Sequence, residues 1–344
     1  MKVTKFIVSG IIVLGLFSVG LFYWIVSAPN TSFEADEKVV FIETGTTKEK
    51  LLETLDPMLK NRSSFEFLAE RKKYFSNTKP GRFVLQKGMG NNEIISVLRS
   101  SNSPIDLVIA PFDRLEEVLG YVSRYIEADS TDLVAAFYDP DFLFQTQFRP
   151  ENVMSLLIPN TYEVYWNTSA IQFRNRMLRE YRAFWNANRS EKALALKLSP
   201  AEVYTLASIV IKESPKEDEQ SRVAGVYLNR LKKGMRLQAD PTVVYAIKSS
   251  TSNFDTIIRR VLYRDLKLDS PYNTYKVDGL PVGPITMPDP KAIDAVLNAE
   301  RHNYLFFVAD TSRVGYHDFS ETLSEHNKKR AVYTQWLNSR NIRR

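Results

Sequence analysis

Cysteine is absent from the 344-residue chain. That excludes disulfides, thiol nucleophiles and cysteine-bound metals. Histidine is almost absent: His302, His317 and His326 are the whole set, and no pair has the H-E-x-x-H spacing of a zinc site. No metal and no cofactor are therefore expected. Glycine and proline, at 13 and 16 residues, are not enriched, which argues against long disordered tracts. No internal repeat and no low-complexity segment is present. Neither sign of charge dominates, since the net charge is +6 and the basic residues are spread out. The denser C-terminal run, Asn327 to Arg330 and then Arg340 to Arg344, reads as a solvated helix end, not a nucleic-acid site. A mildly basic body suits an anionic partner such as a membrane surface or a cell wall.

One long apolar run stands out. Lys2 and Lys5 precede an uncharged stretch from Phe6 to Ser27. As a helix it covers about 33 Å, the hydrocarbon thickness of a bilayer. Tyr23 and Trp24 fall near its outer end, where interfacial aromatics sit. Val26-Ser27-Ala28 resembles a signal-cleavage site, but the run is longer than a signal peptide's and Pro29 follows. The reading taken is an uncleaved anchor over 1–28, with its lysines in the cytoplasm and the rest of the chain outside the membrane. Residues 29–37 are polar and turn-rich and read as a linker.

The remainder alternates short strands and helices, an α+β pattern. Val39 to Ile42 is a strand by its β-branched content. Thr46 to Glu49 caps a helix carrying Leu51, Leu52 and Leu55, and Ser63 to Tyr74 reads as a second helix. A turn at Lys79-Pro80-Gly81 leads into a short strand, and Glu93 to Ser100 is amphipathic. These form a compact unit ending near Ser103. Ile105 to Ala110 is another strand, while Arg114 to Ile126 and Asp132 to Tyr138 have helical spacing. Ala170 to Asn188 reads as one long amphipathic helix with Phe173, Met177, Tyr181 and Trp185 on its apolar face.

Ser199-Pro200-Ala201-Glu202 is a capping box with proline at the first helical position. It predicts a helix from Pro200 to Glu213. Leu206, Ile209 and Val210 make an apolar stripe, and the next position on that stripe is Glu213. Ser214-Pro215-Lys216-Glu217 repeats the start signal and predicts a second helix, carrying Val223, Val226, Tyr227 and Leu231 and stopping at Gly234. A carboxyl partly buried at a helix C-terminus loses hydration and meets a negative potential. Both push it toward protonation, which suits a general acid, while the nearby start of the second helix pushes the other way. The plain alternative is a frayed helix end, with Glu213 in water or paired with Lys212 or Arg222.

Three polar loops follow: Arg236 to Thr242, Pro271 to Tyr275 and Gly279 to Ile285. Their glycines and prolines fix loop shape. Their amides, hydroxyls and tyrosine rings suit a sugar, though each loop alone is better explained as turn chemistry and packing.

Taken together, these motifs resemble the MltG (YceG-like) endolytic murein transglycosylase family. The resemblance runs from the anchor through "KPGRFVLQKGMGNNEIISVLRS" to the C-terminus. It is densest in "LASIVIKES", "RVAGVYLNRLKKGMRLQADPTVVYAI", "YNTY", "GLPVGPI" and "YLFFVAD". It implies an α+β ectodomain with a LysM-like subdomain at 38–104 and a catalytic domain over 105–344. It implies lytic cleavage of the β-1,4 bond between N-acetylmuramic acid and N-acetylglucosamine in nascent peptidoglycan strands, at the inner (cytoplasmic) membrane and near peptidoglycan synthases. The family's catalytic glutamate corresponds to Glu213. Its further pocket residues correspond to Glu219, Gln238, Asp240, Thr242, Tyr272, Asn273, Thr274 and Tyr275. Departures are small: Asn160 stands where the family has aspartate, Ala239 where it has threonine and Val282 where it has proline. Two other readings stay open, a non-catalytic wall-binding scaffold and a hydrolase using Glu219 or Asp240 beside Glu213.

Overall fold

A computed structural model describes residues 2–100, 102–258 and 260–340. The chain is mixed α+β and divides into two compact units. One comprises Met1–Leu107, Ser123–Ala128 and Tyr162–Ser169, and the other holds the rest.

The first unit opens with α1 (Lys2–Ser27). Its Ser9–Ser27 portion is the one described helix long and apolar enough to cross a membrane. Next come β1 (Glu37–Ile42), α2 (Lys48–Leu55), α3 (Arg62–Arg71), β2 (Gly81–Gln86), α4 (Asn91–Arg99) and β3 (Pro104–Ile109). β1 and β2 pair antiparallel, from Glu37 opposite Gln86 to Ile42 opposite Gly81. Alternation places Val40, Ile42, Phe83 and Leu85 on one face, where they are buried against Leu51, Leu55, Phe65, Ile94 and Leu98 of the helices. Thr47 caps α2 by accepting the Lys50 N–H at 3.3 Å.

Residues 29–37, expected to be a linker, are built into this unit instead. Asn30 and Thr31 are buried. The Asn30 N–H donates to the Met89 carbonyl at 2.8 Å, and its side-chain Nδ2 donates to Asn91 Oδ1 at 2.6 Å. A polar, turn-rich composition marks a tether only if its polar groups go to water, and these go to the protein. The end of α1 is likewise attached: Asn91 Nδ2 donates to the Ile25 carbonyl at 2.8 Å, and Ile25 and Val26 pack on the unit's core. Gly90 allows this approach, since a Cβ there would stand 2.8 Å from the Ser27 carbonyl oxygen.

The second unit carries α5 (Leu115–Val122), α6 (Ser130–Phe137) and α7 (Pro140–Thr146). β4 (Asn160–Tyr165), whose Tyr162–Tyr165 portion belongs to the first unit, pairs with β3. Then follow α8 (Ala170–Phe184), α9 (Ala187–Ala195), α10 (Pro200–Glu213), α11 (Glu217–Lys232), α12 (Asp240–Ser250), α13 (Pro290–Leu297), β5 (Phe306–Ala309), β6 (His317–Ser320) and α14 (Leu323–Ser339). The long helix expected over 170–188 is two helices. Asn186 adopts an extended conformation and caps α9 by accepting the Arg189 N–H at 3.1 Å, which ends α8 before it.

α10 is the unit's central element. It starts as the capping box predicts, with Ser199 N–H donating to Glu202 Oε2 at 2.8 Å. Residues Val203 to Val210 are all buried, because α9, α11 and α13 pack around the helix. Burying each large aliphatic side chain here contributes roughly 1.5–3 kcal/mol. Gly225 of α11 lets a neighbouring segment approach: a Cβ there would meet the Glu300 carbonyl oxygen and His302 Nε2, each at 2.6 Å.

Candidate active site

The joint between α10 and α11 holds the candidate acid. Ser214 takes an extended conformation, so α10 ends with Glu213 as its last helical residue. Ser214 was expected to cap the next helix, but Lys216 occupies that position without a side-chain cap bond. The Ser214 hydroxyl is used elsewhere, donating to Glu219 Oε2 at 3.0 Å and accepting the Lys216 N–H at 3.3 Å.

The two cations that could have neutralised Glu213 are engaged with others. Lys212 pairs with Asp113 at 2.7 Å and Arg222 with Glu300 at 2.9 Å. Glu213 instead accepts a hydrogen bond on Oε1 from the Tyr227 phenol at 2.9 Å. Its side chain is half-buried, with protein packed around the carboxyl and one side open to a cleft. Burial raises the Glu213 carboxyl, the Tyr227 phenol pulls it back and the charge of Asp240 raises it, leaving it at about 7. Tyr227 is itself buried, and burial beside Glu213 raises its phenol well above the ordinary range, so it remains a proton donor.

Because the phenol favours the ionised carboxylate, Tyr227→Phe is expected to raise the Glu213 carboxyl further. Titration of a carbon-13-labelled Glu213 carboxyl should show its midpoint moving to higher pH. A midpoint unmoved or lowered would contradict that role for the phenol.

The cleft beside Glu213 encloses about 1400 Å³. This exceeds the roughly 300–1,000 Å³ of a small-molecule pocket and suits an extended polymer. Its walls come from Lys212 and Glu213, from Asp240, Val244, Tyr245 and Lys248 of α12, from Ile285, and from Arg330, Tyr333 and Leu337 of α14. Tyr263, 82% exposed, stands on its rim.

Of the remaining residues singled out from sequence, Asp240 lines this cleft and accepts the Tyr275 phenol on Oδ1 at 2.7 Å. Gln238 is exposed beside it and has a left-handed backbone, with φ of 53°. Its N–H donates to the Thr274 carbonyl at 3.1 Å. Non-glycine residues in that conformation are uncommon, and they persist where their surroundings hold them.

Thr242, Asn273 and Thr274 have no exposed surface and lie inside the loop scaffold. The hydroxyls of Thr242 and Thr274 are 2.8 Å apart, and Thr274 Oγ1 accepts the Ala239 N–H at 2.9 Å. Asn273 Nδ2 donates to the Leu268 carbonyl at 2.7 Å and the Leu266 carbonyl at 3.1 Å. These bonds fix the start of α12, and with it Asp240. Tyr272 is half-buried, with its ring 4.6 Å from that of Tyr245.

Glu219, on the first turn of α11, is only 3% exposed. It accepts the His317 N–H at 2.8 Å, faces His317 Nδ1 at 2.8 Å and accepts the Ser214 hydroxyl. The β5–β6 hairpin supplies His317, opposite Ala309 in the pairing. The same hairpin stacks Phe307 edge-on against Tyr227 at 5.9 Å. Glu219 thus clamps the residue next to Glu213 and does not face the cleft.

Several contributors were not picked out from sequence. Tyr227 looked like one more member of an apolar stripe; the phenol on that stripe was the available signal. Ser208, buried mid-helix in α10, accepts the Ile285 N–H at 3.1 Å and so docks the Gly279–Ile285 loop onto the cleft wall. Asp113 and the cleft-facing residues of α14 carried no motif, and Tyr245 lay in one without being singled out.

The sequence profile of the YceG-like family matches residues 40–332. This chain belongs to the YceG-like family. The match runs from β1 into α14 and takes in every residue of the α10–α11 joint. A relative named endolytic murein transglycosylase, from Bacillus subtilis, is 29% identical over 300 residues, covering 82% of this chain and 80% of the relative. A Streptococcus pneumoniae protein of the same name is 27% identical over 347 residues, covering 90% of this chain and 62% of its own length. A crystal structure of a yceG-like protein from Listeria monocytogenes matches this YceG-like chain with a TM-score of 0.55 at 29% identity, covering 85% of this chain and 98% of that one.

Proposed function

We propose that this chain is an endolytic lytic transglycosylase. It cuts the β-1,4 bond between N-acetylmuramic acid and N-acetylglucosamine in nascent peptidoglycan strands, with Glu213 as the single acid and base. The observation that carries the reading is a carboxyl raised to about 7 on the wall of a polymer-sized cleft, held by a phenol and by no cation. The shared name of the bacillary and pneumococcal relatives supports the same reaction.

The chemistry needs one proton and returns it. Protonated Glu213 donates to the bridging oxygen as the bond to the anomeric carbon breaks, and the N-acetylglucosamine side leaves with a free hydroxyl. The resulting carboxylate takes the proton from the C6 hydroxyl of the same muramic acid. That oxygen bonds to the anomeric carbon and closes a 1,6-anhydro ring. No water is consumed, so the second carboxylate of a hydrolytic glycosidase has no task. The nucleophile belongs to the same sugar, which gives it a large proximity advantage. Asp240, lining the same cleft, is suited to stabilising the positive charge that develops on the sugar ring.

The decisive measurement is mass spectrometry of products from purified glycan strands. Anhydro ends are expected. Reducing ends would identify a hydrolase, and uncut strands a binding scaffold.

The N-terminal helix serves as a single-pass anchor, with Lys2 and Lys5 on the cytoplasmic side and the chain after it outside the cytoplasmic membrane. The β1–β2 unit acts as a LysM-like glycan holder. An anchored enzyme of this kind works beside the synthases that extend new strands. The chain should stay in the membrane fraction after carbonate washing, and its release would overturn the anchor.

A further inference from the structure

A second compartment lies next to the cleft and shares a wall with it. It encloses about 360 Å³, room for roughly twelve waters. Four aromatic residues line it: Tyr138, Tyr245, Phe254 and Tyr272. Tyr245 also lines the cleft of Glu213, and Pro284 of the compartment precedes Ile285 of the cleft. The two spaces are neighbours across the Tyr245 ring.

The charges in this compartment are unbalanced. Glu116 and Glu151 line it, and neither has an ion-pair partner among the described residues. The Tyr138 phenol donates to Glu116 Oε1 at 2.8 Å, which orients the carboxylate without neutralising it. The one cation on the wall, Arg114, is held by Glu117 at 2.9 Å and lies over the Phe254 ring, 4.2 Å from its centroid. Glu151 is fixed by its backbone: at Gly283 a Cβ would come within 1.9 Å of the Glu151 carbonyl oxygen, so the loop and Glu151 can touch only through a glycine. Ring faces carry negative charge density and attract cations, and two unpaired carboxylates add to it.

We propose that this compartment binds a primary ammonium carried by the peptide stem of the strand being cut, with the rings of Tyr245 and Tyr272 as its floor and Glu116 and Glu151 as its counter-charges. The inference rests on the proposed peptidoglycan substrate and adds a specificity determinant beside the acid. A stem ending in a free amine is held with its sugar in the cleft, while an acylated or cross-linked amine presents no charge and is held less well. The enzyme thereby favours strands not yet cross-linked through that amine.

The test uses the full chain and three substrates: strands with lysine-containing stems, the same strands with the lysine amine acetylated, and strands stripped of peptide. For the wild type, acetylation should raise KM about tenfold with kcat nearly unchanged, as expected for loss of a cation held by rings and two exposed carboxylates. The Glu116→Gln, Glu151→Gln double variant should lose that discrimination and match the wild type on stripped strands. An unchanged wild-type KM after acetylation, or a double variant that still discriminates, would overturn the proposal.

A binding experiment separates this inference from the reaction. The free lysine-containing stem peptide is titrated against the Glu213→Gln chain, followed by chemical-shift changes. Amine-dependent binding without any strand cleavage by the wild type would leave the compartment standing and remove the transglycosylase reading. Binding indifferent to acetylation would sink the compartment whatever the cleavage assay gives.

Discussion

Glu213→Gln is expected to reduce strand cleavage by about a thousandfold, the scale of a lost general acid and base, while making the protein more stable at alkaline pH. The amide keeps the shape and still accepts the Tyr227 phenol, but carries no transferable proton. The stability gain comes from burial. The folded state holds the Glu213 proton up to about 7, against an ordinary value of 4.5. Between those values the folded chain binds more protons than the unfolded one, so stability falls as pH rises through this window and is level above it. Full burial would make the loss roughly 3 kcal/mol, and the side chain's partial exposure to the cleft brings it to about 2 kcal/mol. The variant should therefore match the wild type in urea unfolding at pH 4 and exceed it at pH 8. Equal midpoints at both pH values would show that the carboxyl is solvated and unfit for the assigned role.

The second large effect is expected at Glu219. Glu219→Ala removes the acceptor of the Ser214 hydroxyl and of the His317 N–H, and the partner of the His317 ring. All sit in a nearly dry site, so leaving them unpaired should cost about 3 kcal/mol. The clamp holds the residue that ends α10, so kcat should also fall, by roughly tenfold, because catalysis is sensitive to small displacements of the acid. The pH dependence of cleavage should keep its midpoint near that of the wild type, since Glu213 and Tyr227 remain. Glu219→Gln keeps one oxygen to accept the His317 N–H, while its amide NH2 can donate to the Ser214 hydroxyl oxygen or to a neutral His317 ring nitrogen, so it should recover part of both losses. Failure of the glutamine to rescue, or a displaced midpoint, would mean that Glu219 acts on the acid through charge and not through position.

The features legible in sequence are those with local causes. The capping box at Ser199 and the stripe of Leu206, Ile209 and Val210 fixed α10 and put Glu213 at its end, because start signals and helical period are short-range. What could not be read was which way polar side chains face. Thr242, Asn273 and Thr274 looked like groups offered to a sugar, yet they are sealed inside their own loops. The composition of a loop is the same whether its hydroxyls bind ligand or backbone. Partners distant in the chain were equally hidden. His317 meets Glu219, and the Arg330 face of α14 reaches the cleft, through tertiary packing that leaves no periodic trace. The segment 29–37 misled for the same reason, since turn-forming residues give no sign of what their polar groups bond to.

The seam between α1 and the small unit bears on how this protein is handled at the bench. Deleting the first 28 residues to obtain soluble material would cut away Ile25 and Val26, which cover part of that unit's interior, and strip Asn91 of the carbonyl it bonds. Such a truncation would arrive in solution with a raw apolar scar. A cut made one helical turn earlier would leave that cover in place.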